Sequence, residues 1–320
     1  METREDRKLE AYATLKLISS ESNPMRWTMA TIVALIAMAV TANPTAAALV
    51  INGYSAATAG KYDRFANDAA FIGNAYDWSG VGRTTNGHWG VLISPSFVVS
   101  SRHFPPSDTE QIRFYPSNDP TAGFVQKSIV SNSIIANSDL ILTQLSSPTV
   151  GVANYAIGHP ATQLVGKELF VWGQANNPDA YLNTRLGRNV AAGILPSYSS
   201  ASLVGKSDVL VFDYDTTARG LGPDEAMVAT NDSGGPSFTI GPDGPELVGV
   251  HWFMYDAAPP NQPPGSGDTL VTSLINQLNS AMAATGSLER VTVAVPEPGG
   301  LGVVLAGLSL VFVRRRQMLA

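Results

Sequence analysis

The chain has 320 residues, contains no cysteine and carries a formal net charge of −6. Without cysteine it has no disulfide framework, no thiol nucleophile and no thiolate metal site. The mild negative charge and the lack of a basic patch also make nucleic acid an unexpected partner.

The N-terminal region carries an apolar run, "MATIVALIAMAV", at 29–40, and small residues follow it. Such a run is too short for a confident transmembrane helix and is typical of a secretory signal peptide. Residues 1–24 are charged with mixed sign, which is unusual for the start of a signal peptide. We therefore expect translation to begin at Met25; the alternative is a long leader that starts at Met1. Residues 1–48 are assigned to this N-terminal extension and signal peptide.

The body of the chain, 49–285, is long enough for one domain or for one fold built from two similar halves. Short runs rich in Val, Leu, Phe and Trp predict strands separated by turns. These runs are "GVLISPSFVVSS", "SDLILTQL", "ELFVWGQ", "DVLVFDYD" and "ELVGVHWFMY". Pro and Gly at 256–268 predict a surface loop, and helical periodicity over 268–284 predicts one closing helix. The pattern favours an all-β barrel or sandwich.

The C-terminal region has a spacer at 286–294, the motif "VPEP" at 295–298, an apolar stretch at 299–313 and "RRR" at 314–316. A helix over the apolar stretch spans about 22 Å, less than the roughly 30 Å hydrocarbon core. With flanking residues and snorkelling arginines it could still cross a thin bilayer. The arginines favour a cytoplasmic C-terminus.

This C-terminal end, 295–320, resembles the PEP-CTERM sorting signal of Gram-negative bacteria, whose motif falls on Pro296, Glu297 and Pro298. The resemblance implies an exosortase-type sorting enzyme as a partner and transient insertion of 299–313 into the inner membrane. Removal of the tail would leave the protein at the cell surface or secreted. A plain C-terminal membrane anchor is the alternative.

A candidate nucleophile, Ser233, lies in the stretch "TNDSGGPS". These are turn residues, so the stretch alone does not separate a turn from a catalytic serine. A serine nucleophile needs an adjacent base, usually histidine. Of the four histidines, three are interpreted as structural: His88, His159 and His251. His103 differs because two apolar strands lead directly into it.

Three motifs, "VVSSRHF", "NSDLILTQL" and "NDSGGP", occur in the order found in trypsin-like (chymotrypsin-fold) serine proteases, and over residues 50–285 the chain resembles that family. The later run "ELVGVHWF" is similar to the family's strand beside the substrate. Ser101 and Arg102 replace two alanines of the first motif, and Phe104 replaces a frequent cysteine. The resemblance implies two six-stranded antiparallel Greek-key barrels and a C-terminal helix, followed here by the transmembrane sorting helix.

The resemblance also implies a catalytic triad of His103, Asp139 and Ser233, in the chymotrypsin order. In isolation Asp139 would be interpreted as a surface residue that opens a strand. The backbone N–H groups of Asn231 and Ser233 would form the oxyanion hole. Asn231 stands where the family has glycine, and asparagine is the next most tolerant residue of an unusual φ. Asparagine at this position is therefore compatible with a working oxyanion hole, and the sequence leaves open whether the hole functions.

An activation pair is implied between Asp232 and a freed N-terminal amine at Val50, which begins the run "VINGY". The alternative is a first strand at Val50 with no buried amine.

The pocket for the substrate residue before the scissile bond (P1) is assigned to Met227, Trp252 and Phe253. By alignment of the motifs, Met227 lies at the floor of this pocket, where a carboxylate side chain would select Lys or Arg as the P1 residue. Phe253 could partly fill the pocket. A small or medium apolar P1 residue is therefore expected.

The predicted function is that of an exported serine endopeptidase whose substrate is a protein or peptide. The alternative is a catalytically idle protease-fold protein that binds partners at the surface or in the matrix; a self-cleaving protein without external substrate is a third reading. No cofactor and no metal are expected, because the sequence has no P-loop, no dinucleotide-binding glycine pattern and no run with metal-ligand spacing.

Overall fold

A computed structural model describes residues 48–158, 160–217, 220–258 and 262–294. The predicted signal region up to residue 47, His159, and the sorting motif, apolar stretch and basic tail of 295–320 lie outside the described residues. Within those four ranges, no helix is long and apolar enough to cross a membrane.

The described chain is built mainly of β-strands. They are β1 (Val50–Ile51), β2 (Val81–Thr84), β3 (Trp89–Ser94), β4 (Phe97–Ser101), β5 (Gln111–Phe114), β6 (Val125–Ile134), β7 (Leu140–Leu145), β8 (Ala156–Ile157), β9 (Glu168–Gly173), β10 (Arg185–Val190), β11 (Gly193–Tyr198), β12 (Ser207–Asp213), β13 (Ala226–Met227), β14 (Pro236–Gly241), β15 (Gly244–Tyr255) and β16 (Gly265–Leu270). A one-turn helix covers Ala59–Tyr62, and the C-terminal helix covers Ile275–Ala284. The five runs predicted as strands all form strands.

The first half is a closed six-stranded barrel in the order β2-β3-β4-β7-β6-β5. Strand β7 returns to lie beside β4, which is a Greek-key connection. Side chains on one face of these strands fill the barrel: Leu92, Val98, Ile112, Phe114, Ile129 and Leu145. Because successive side chains alternate between faces, Val91, Ile93, Phe97 and Val99 point outward, where they are also buried. Burial of both faces explains why β3 and β4 are apolar without alternation.

The second half is an eight-stranded sheet in the order β10-β9-β14-β15-β16-β12-β11, with β8 added in parallel beside β15. Strands β1 and β13 form a separate antiparallel pair. The expected all-β class, one closed six-stranded barrel and the closing helix are thus confirmed. In the second half, the strands of the described residues form a sheet, and a second closed barrel is not seen there.

A continuous apolar core joins the barrel to the sheet. Trp78 lies at its centre, with its ring centroid 5.3 Å from those of Trp172 and Phe238 and 5.8 Å from that of Phe170. The same core includes Leu278 and Met282 of the C-terminal helix. The two halves therefore form one folded body.

The closing helix begins later than its sequence pattern predicts. It starts at Ile275, after a 3₁₀ turn at Val271–Leu274, whereas residues 268–270 belong to β16. Leu270 fits the helical spacing, yet it is buried in the core as a strand residue. The predicted surface loop over 256–268 is likewise wrong at its end, because Asp268 is fully buried in β16.

The region predicted as a spacer, 286–294, packs on the folded body. Its backbone forms two hydrogen bonds with Ile157. The Ile157 N–H donates to Thr292 O at 2.8 Å, and the Ala294 N–H donates to Ile157 O at 2.9 Å. The Ser96 N–H donates to Glu289 Oε2 at 3.0 Å, and Val291 is buried. The predicted spacer is thus attached to the body by these contacts as far as Ala294.

Removal of this packed segment is expected to destabilise the protein. We expect a chain that ends at Gly286 to lose about 2 to 4 kcal/mol of unfolding free energy, because it loses one buried valine and several backbone hydrogen bonds. Chemical denaturation measures the difference. A chain that ends at Ala294 is the matched control and should keep the stability of the longer chain. A difference below about 1 kcal/mol between the two truncations would contradict the packing described.

Candidate active site

The pairing of two barrel strands places His103 beside Asp139. His103 follows the end of β4 and Asp139 precedes β7, and these strands pair with Ser101 opposite Leu140. The ladder continues for one more bond, from the Arg102 N–H to Asp139 O at 2.8 Å. Antiparallel neighbours bring such strand ends to one edge of the barrel. Ser233 reaches the same edge from the turn before β14 of the sheet.

The three side chains form a continuous hydrogen-bonded chain. His103 Nδ1 lies 2.6 Å from Asp139 Oδ2, and His103 Nε2 lies 2.7 Å from Ser233 Oγ. The His103 backbone N–H also donates to Asp139 Oδ1 at 2.9 Å, which fixes the carboxylate. With the Nδ1 proton directed at Asp139, Nε2 is left to accept the serine hydroxyl proton. The structure thus brings together all three residues predicted as the triad.

Asp139 is sealed from solvent by a loop of the second half. The Lys206 N–H donates to Asn137 O at 2.7 Å, and Gly205 lies so close that a Cβ atom there would be 2.5 Å from the Ser138 carbonyl carbon. Asp139 is accordingly fully buried. Burial raises the pKa of Asp139, and the hydrogen bonds from His103 oppose that rise. Exclusion of water strengthens the Asp139–His103 interaction.

The turn that carries Ser233 leaves two backbone donors free. The N–H groups of Asp232, Gly234 and Gly235 donate to carbonyl oxygens within the protein. In the described residues, the N–H groups of Asn231 and Ser233 have no such acceptor. These are the two donors that the sequence assigned to the oxyanion hole.

The conformation of the turn depends on Asn231, whose φ is 77°. Few side chains tolerate this left-handed region, and asparagine is one of them. The carbonyl oxygen of Asn231 accepts a hydrogen bond from Gln174 Nε2 at 2.6 Å. Gln174, just after β9, therefore holds the turn in place. Sequence reasoning missed this residue, because no motif marks it.

The two glycines after Ser233 are required by close contacts. A Cβ atom at Gly234, whose φ is 84°, would lie 2.7 Å from Ser100 Oγ. One at Gly235 would lie 2.8 Å from Cδ2 of the His251 ring and 2.9 Å from Asp232 O. The turn therefore presses directly against both the barrel and β15.

Asp232 is fully buried and bound by two backbone donors. Its carboxylate accepts from the N–H groups of Gln174 and Ala229, both at 2.7 Å. Burial raises the pKa of Asp232 to about 6. Val50 is 37 % exposed and pairs with Met227 in the ladder of β1 and β13. Leu49, the residue before Val50, lies beside Asp232: a Cβ atom at Gly173 would be 2.8 Å from Leu49 Cβ and 2.7 Å from Asp232 Oδ2. In this chain Val50 is joined to Leu49 and has no free amine, so the expected ion pair is not formed.

The residues assigned to the substrate pocket lie on strands that meet beside Gly267 of β16. Phe253 packs against Gly267, where a Cβ atom would lie 2.4 Å from its ring. Its centroid lies 5.6 Å from that of Trp252 and 5.2 Å from that of Tyr198. Met227 lies on β13, and the N–H of the next residue, Val228, donates to Ser266 Oγ at 3.1 Å, beside Gly267 on β16.

His88 contacts Phe104, the residue that stands at the frequent cysteine position of the first motif. Their ring centroids are 4.3 Å apart. His88 Nδ1 also lies 2.7 Å from Glu110 Oε2, so this histidine is held in a structural pair, as its sequence context predicted.

Two comparisons bear on the site and neither assigns it. No protein-family model matches the chain, and no curated protein matches it. Among the residues that the structure describes, no group of three or more His, Asp or Glu side chains could hold a metal ion. The chemistry of the site therefore rests on its geometry.

Replacement of Asn231 by glycine is expected to keep kcat within about threefold of the wild-type value, because glycine adopts the same φ without strain. Asn231→Val should lower kcat at least tenfold, since a β-branched residue disfavours positive φ. Steady-state kinetics on a chromogenic ester measure both.

The matched control is Asn67→Gly, at a second asparagine with positive φ, 54°. This replacement should likewise remove the strain of a positive φ from the backbone, and it should leave kcat unchanged. A large loss of kcat in Asn231→Gly alone would instead assign a specific role to the Asn231 side chain.

Proposed function

We propose that the chain is an exported serine endopeptidase of the trypsin-like, chymotrypsin-fold family. The observation that carries this proposal is the hydrogen-bonded chain from Asp139 through His103 to Ser233, with bonds of 2.6 and 2.7 Å. Two free backbone donors beside the serine support it. Fold alone does not define an activity, so the proposal rests on this arrangement of groups.

In the first half of the reaction, Ser233 Oγ attacks the carbonyl carbon of the scissile peptide. His103 Nε2 takes the hydroxyl proton as the C–O bond forms. The negative charge that develops on the carbonyl oxygen is stabilised by the N–H groups of Asn231 and Ser233. Removal of one such donor typically costs about 3 kcal/mol of transition-state stabilisation. His103 then donates its proton to the leaving amine, the C–N bond breaks and an acyl-enzyme remains on Ser233.

In the second half, a water molecule replaces the amine. His103 takes a proton from the water as its oxygen attacks the ester carbonyl, and returns that proton to Ser233 Oγ as the ester bond breaks. In both halves the His103 imidazole is transiently cationic. Asp139, buried and hydrogen-bonded to Nδ1, stabilises that cation and fixes the ring orientation.

At the level of fold, we propose that the eight-stranded sheet corresponds to the second barrel of this family. The proposal also includes export by the N-terminal signal, sorting by an exosortase-type enzyme at Pro296–Pro298 and final placement at the cell surface or outside the cell. The sequence patterns at the two termini support these points.

The packing of Phe253 on Gly267 supports a preference for small or medium apolar P1 residues. The ring occupies space over β16, beside the buried Trp252. No acidic residue is assigned to the pocket that could pair with a P1 Lys or Arg.

Covalent labelling tests the proposed reaction. We expect a fluorophosphonate probe to modify the wild-type protein at Ser233, because the activated hydroxyl attacks phosphorus as it attacks a carbonyl. Ser233→Ala and His103→Ala should lose labelling, and His88→Gln should retain it. Peptide mapping by mass spectrometry locates the adduct. A folded wild-type protein that is not labelled would favour the idle binding protein instead.

Removal of the Phe253 ring is expected to change specificity. In Phe253→Gly, the ratio of kcat/KM for a P1 Phe substrate to that for a P1 Ala substrate should rise at least tenfold, since space opens over Gly267. A peptide library provides the measurement. Met254→Ala, at the neighbouring position of β15, is the control and should leave the ratio unchanged. An unchanged ratio in Phe253→Gly would exclude Phe253 from the pocket.

A further inference from the structure

A second histidine–carboxylate pair lies buried beneath the turn that carries Ser233. His251 on β15 and Asp268 on β16 stand opposite each other in the antiparallel ladder. His251 Nδ1 lies 2.7 Å from Asp268 Oδ1, and the side chains are 1 % and 0 % exposed. The mechanism described above does not use this pair.

Each ring nitrogen of His251 lies within hydrogen-bond distance of an acceptor oxygen. Nε2 lies 2.6 Å from the Trp172 carbonyl oxygen, which can only accept. Nδ1 faces a carboxylate oxygen, which accepts when ionised. Burial by itself disfavours the cation, but the Asp268 and Asp232 carboxylates raise the pKa of His251 above its ordinary value. Both ring nitrogens thus face acceptor atoms, an arrangement that favours the imidazolium form of His251.

His251 is attached directly to the nucleophile turn. The His251 N–H donates to Gly235 O at 2.8 Å, and the Gly234 N–H donates to His251 O at 3.1 Å. The ring borders the space at Gly235, where the Asp232 carbonyl oxygen also lies. On β12, the centroid of the Phe212 ring lies 6.5 Å from the centroid of the His251 imidazole. A change at His251 should therefore alter the positions of Gly234 and Gly235, the two residues that follow Ser233.

Asp232 needs such a cation nearby, because a buried carboxylate without a compensating charge is strongly unfavourable. The charges that act on it to lower its pKa are those of His251 and of Arg83 on β2. Arg83 is also buried; burial lowers its pKa to about 9, so it stays charged at neutral pH. Together with Asp268, these groups form a buried cluster of two basic and two acidic side chains.

We infer that the His251–Asp268 pair supplies the internal positive charge that holds Asp232 and the oxyanion turn in place, so that the site assembles without a freed N-terminal amine at Val50. His251 is a positioning residue in this role, since it acts through the turn and not on the substrate. The inference rests on the proposed protease function and specifies how that site is controlled. Its consequence is an enzyme that is competent without cleavage before Val50.

The first experiment modifies the N-terminus of the exported, active protein. Cyanate near neutral pH carbamylates the α-amine selectively, and mass spectrometry identifies the N-terminal residue and the extent of reaction. We expect complete reaction and a kcat within twofold of the untreated value. An α-amine at Val50 that resists cyanate, or a carbamylated protein that has lost its kcat, would overturn the inference.

The second experiment follows kcat against pH in Asp268→Asn. Without the carboxylate, burial lowers the pKa of His251, so the ring loses its proton as pH rises. The ratio of variant to wild-type kcat should be near one on the acid side and should fall at least tenfold towards about pH 9. In His251→Gln, which has no cation at any pH, the ratio should be low throughout.

The matched control is His88→Gln, which breaks a histidine–carboxylate pair of the same length, 2.7 Å, to Glu110. Its ratio should be constant with pH and within threefold of one. If the ratio of kcat in Asp268→Asn to wild-type kcat did not change with pH, the His251–Asp268 pair would contribute packing alone. That result would overturn the inference. Thermal unfolding establishes that each variant is folded.

A measurement on the unmodified wild-type protein does not depend on variants or on activity. Nitrogen-15 NMR of the histidine rings should show both nitrogens of His251 protonated at about pH 8. A nitrogen of His251 without a proton at that pH would overturn the inference. Failure of the proposed protease function would appear separately, as a folded protein that no fluorophosphonate labels at Ser233.

Discussion

The apolar contact between the barrel and the sheet is the constraint on which the candidate site depends. His103 and Asp139 belong to the barrel, whereas Ser233 belongs to the sheet. The hydrogen bond of 2.7 Å between His103 and Ser233 therefore spans two halves of the molecule. Trp78 and the aromatic rings around it hold those halves at one separation, because a close-packed interior tolerates little displacement.

Two buried carboxylates near the site are stabilised in different ways. Asp139 is bound by the ring and the backbone of His103, so its charge acts on the candidate catalytic histidine. Asp232 is bound by two backbone N–H groups and lies in the field of His251 and Arg83, so its charge fixes a turn. A buried ion pair is weak evidence for stability, but it can specify a unique conformation. The second carboxylate fits that role because the turn must aim two backbone donors at one point.

The predictions that failed share a physical cause, which is burial that local patterns do not report. Leu270 has the spacing of a helix residue, yet it packs from a strand, since an apolar side chain serves either element. Asp268 follows a run of Pro and Gly that indicates a loop, but its partner His251 on the neighbouring strand makes its burial possible. Burial also attaches residues 286–294 to the body, through Val291 and the backbone around Ile157, a contact that their sequence does not indicate.

The sequence by itself determined the strands of the body, the order of the three candidate catalytic residues and the need for a tolerant residue at Asn231. These features follow from local patterns: apolar runs bounded by turns, and motifs whose residue types imply a role. The tertiary structure alone decided that Gln174 clamps the turn, that His251 pairs with Asp268 and that Val50 pairs with Met227 in a strand. Such contacts join residues far apart in the chain, so they depend on how the strands pair and pack, which no local pattern records.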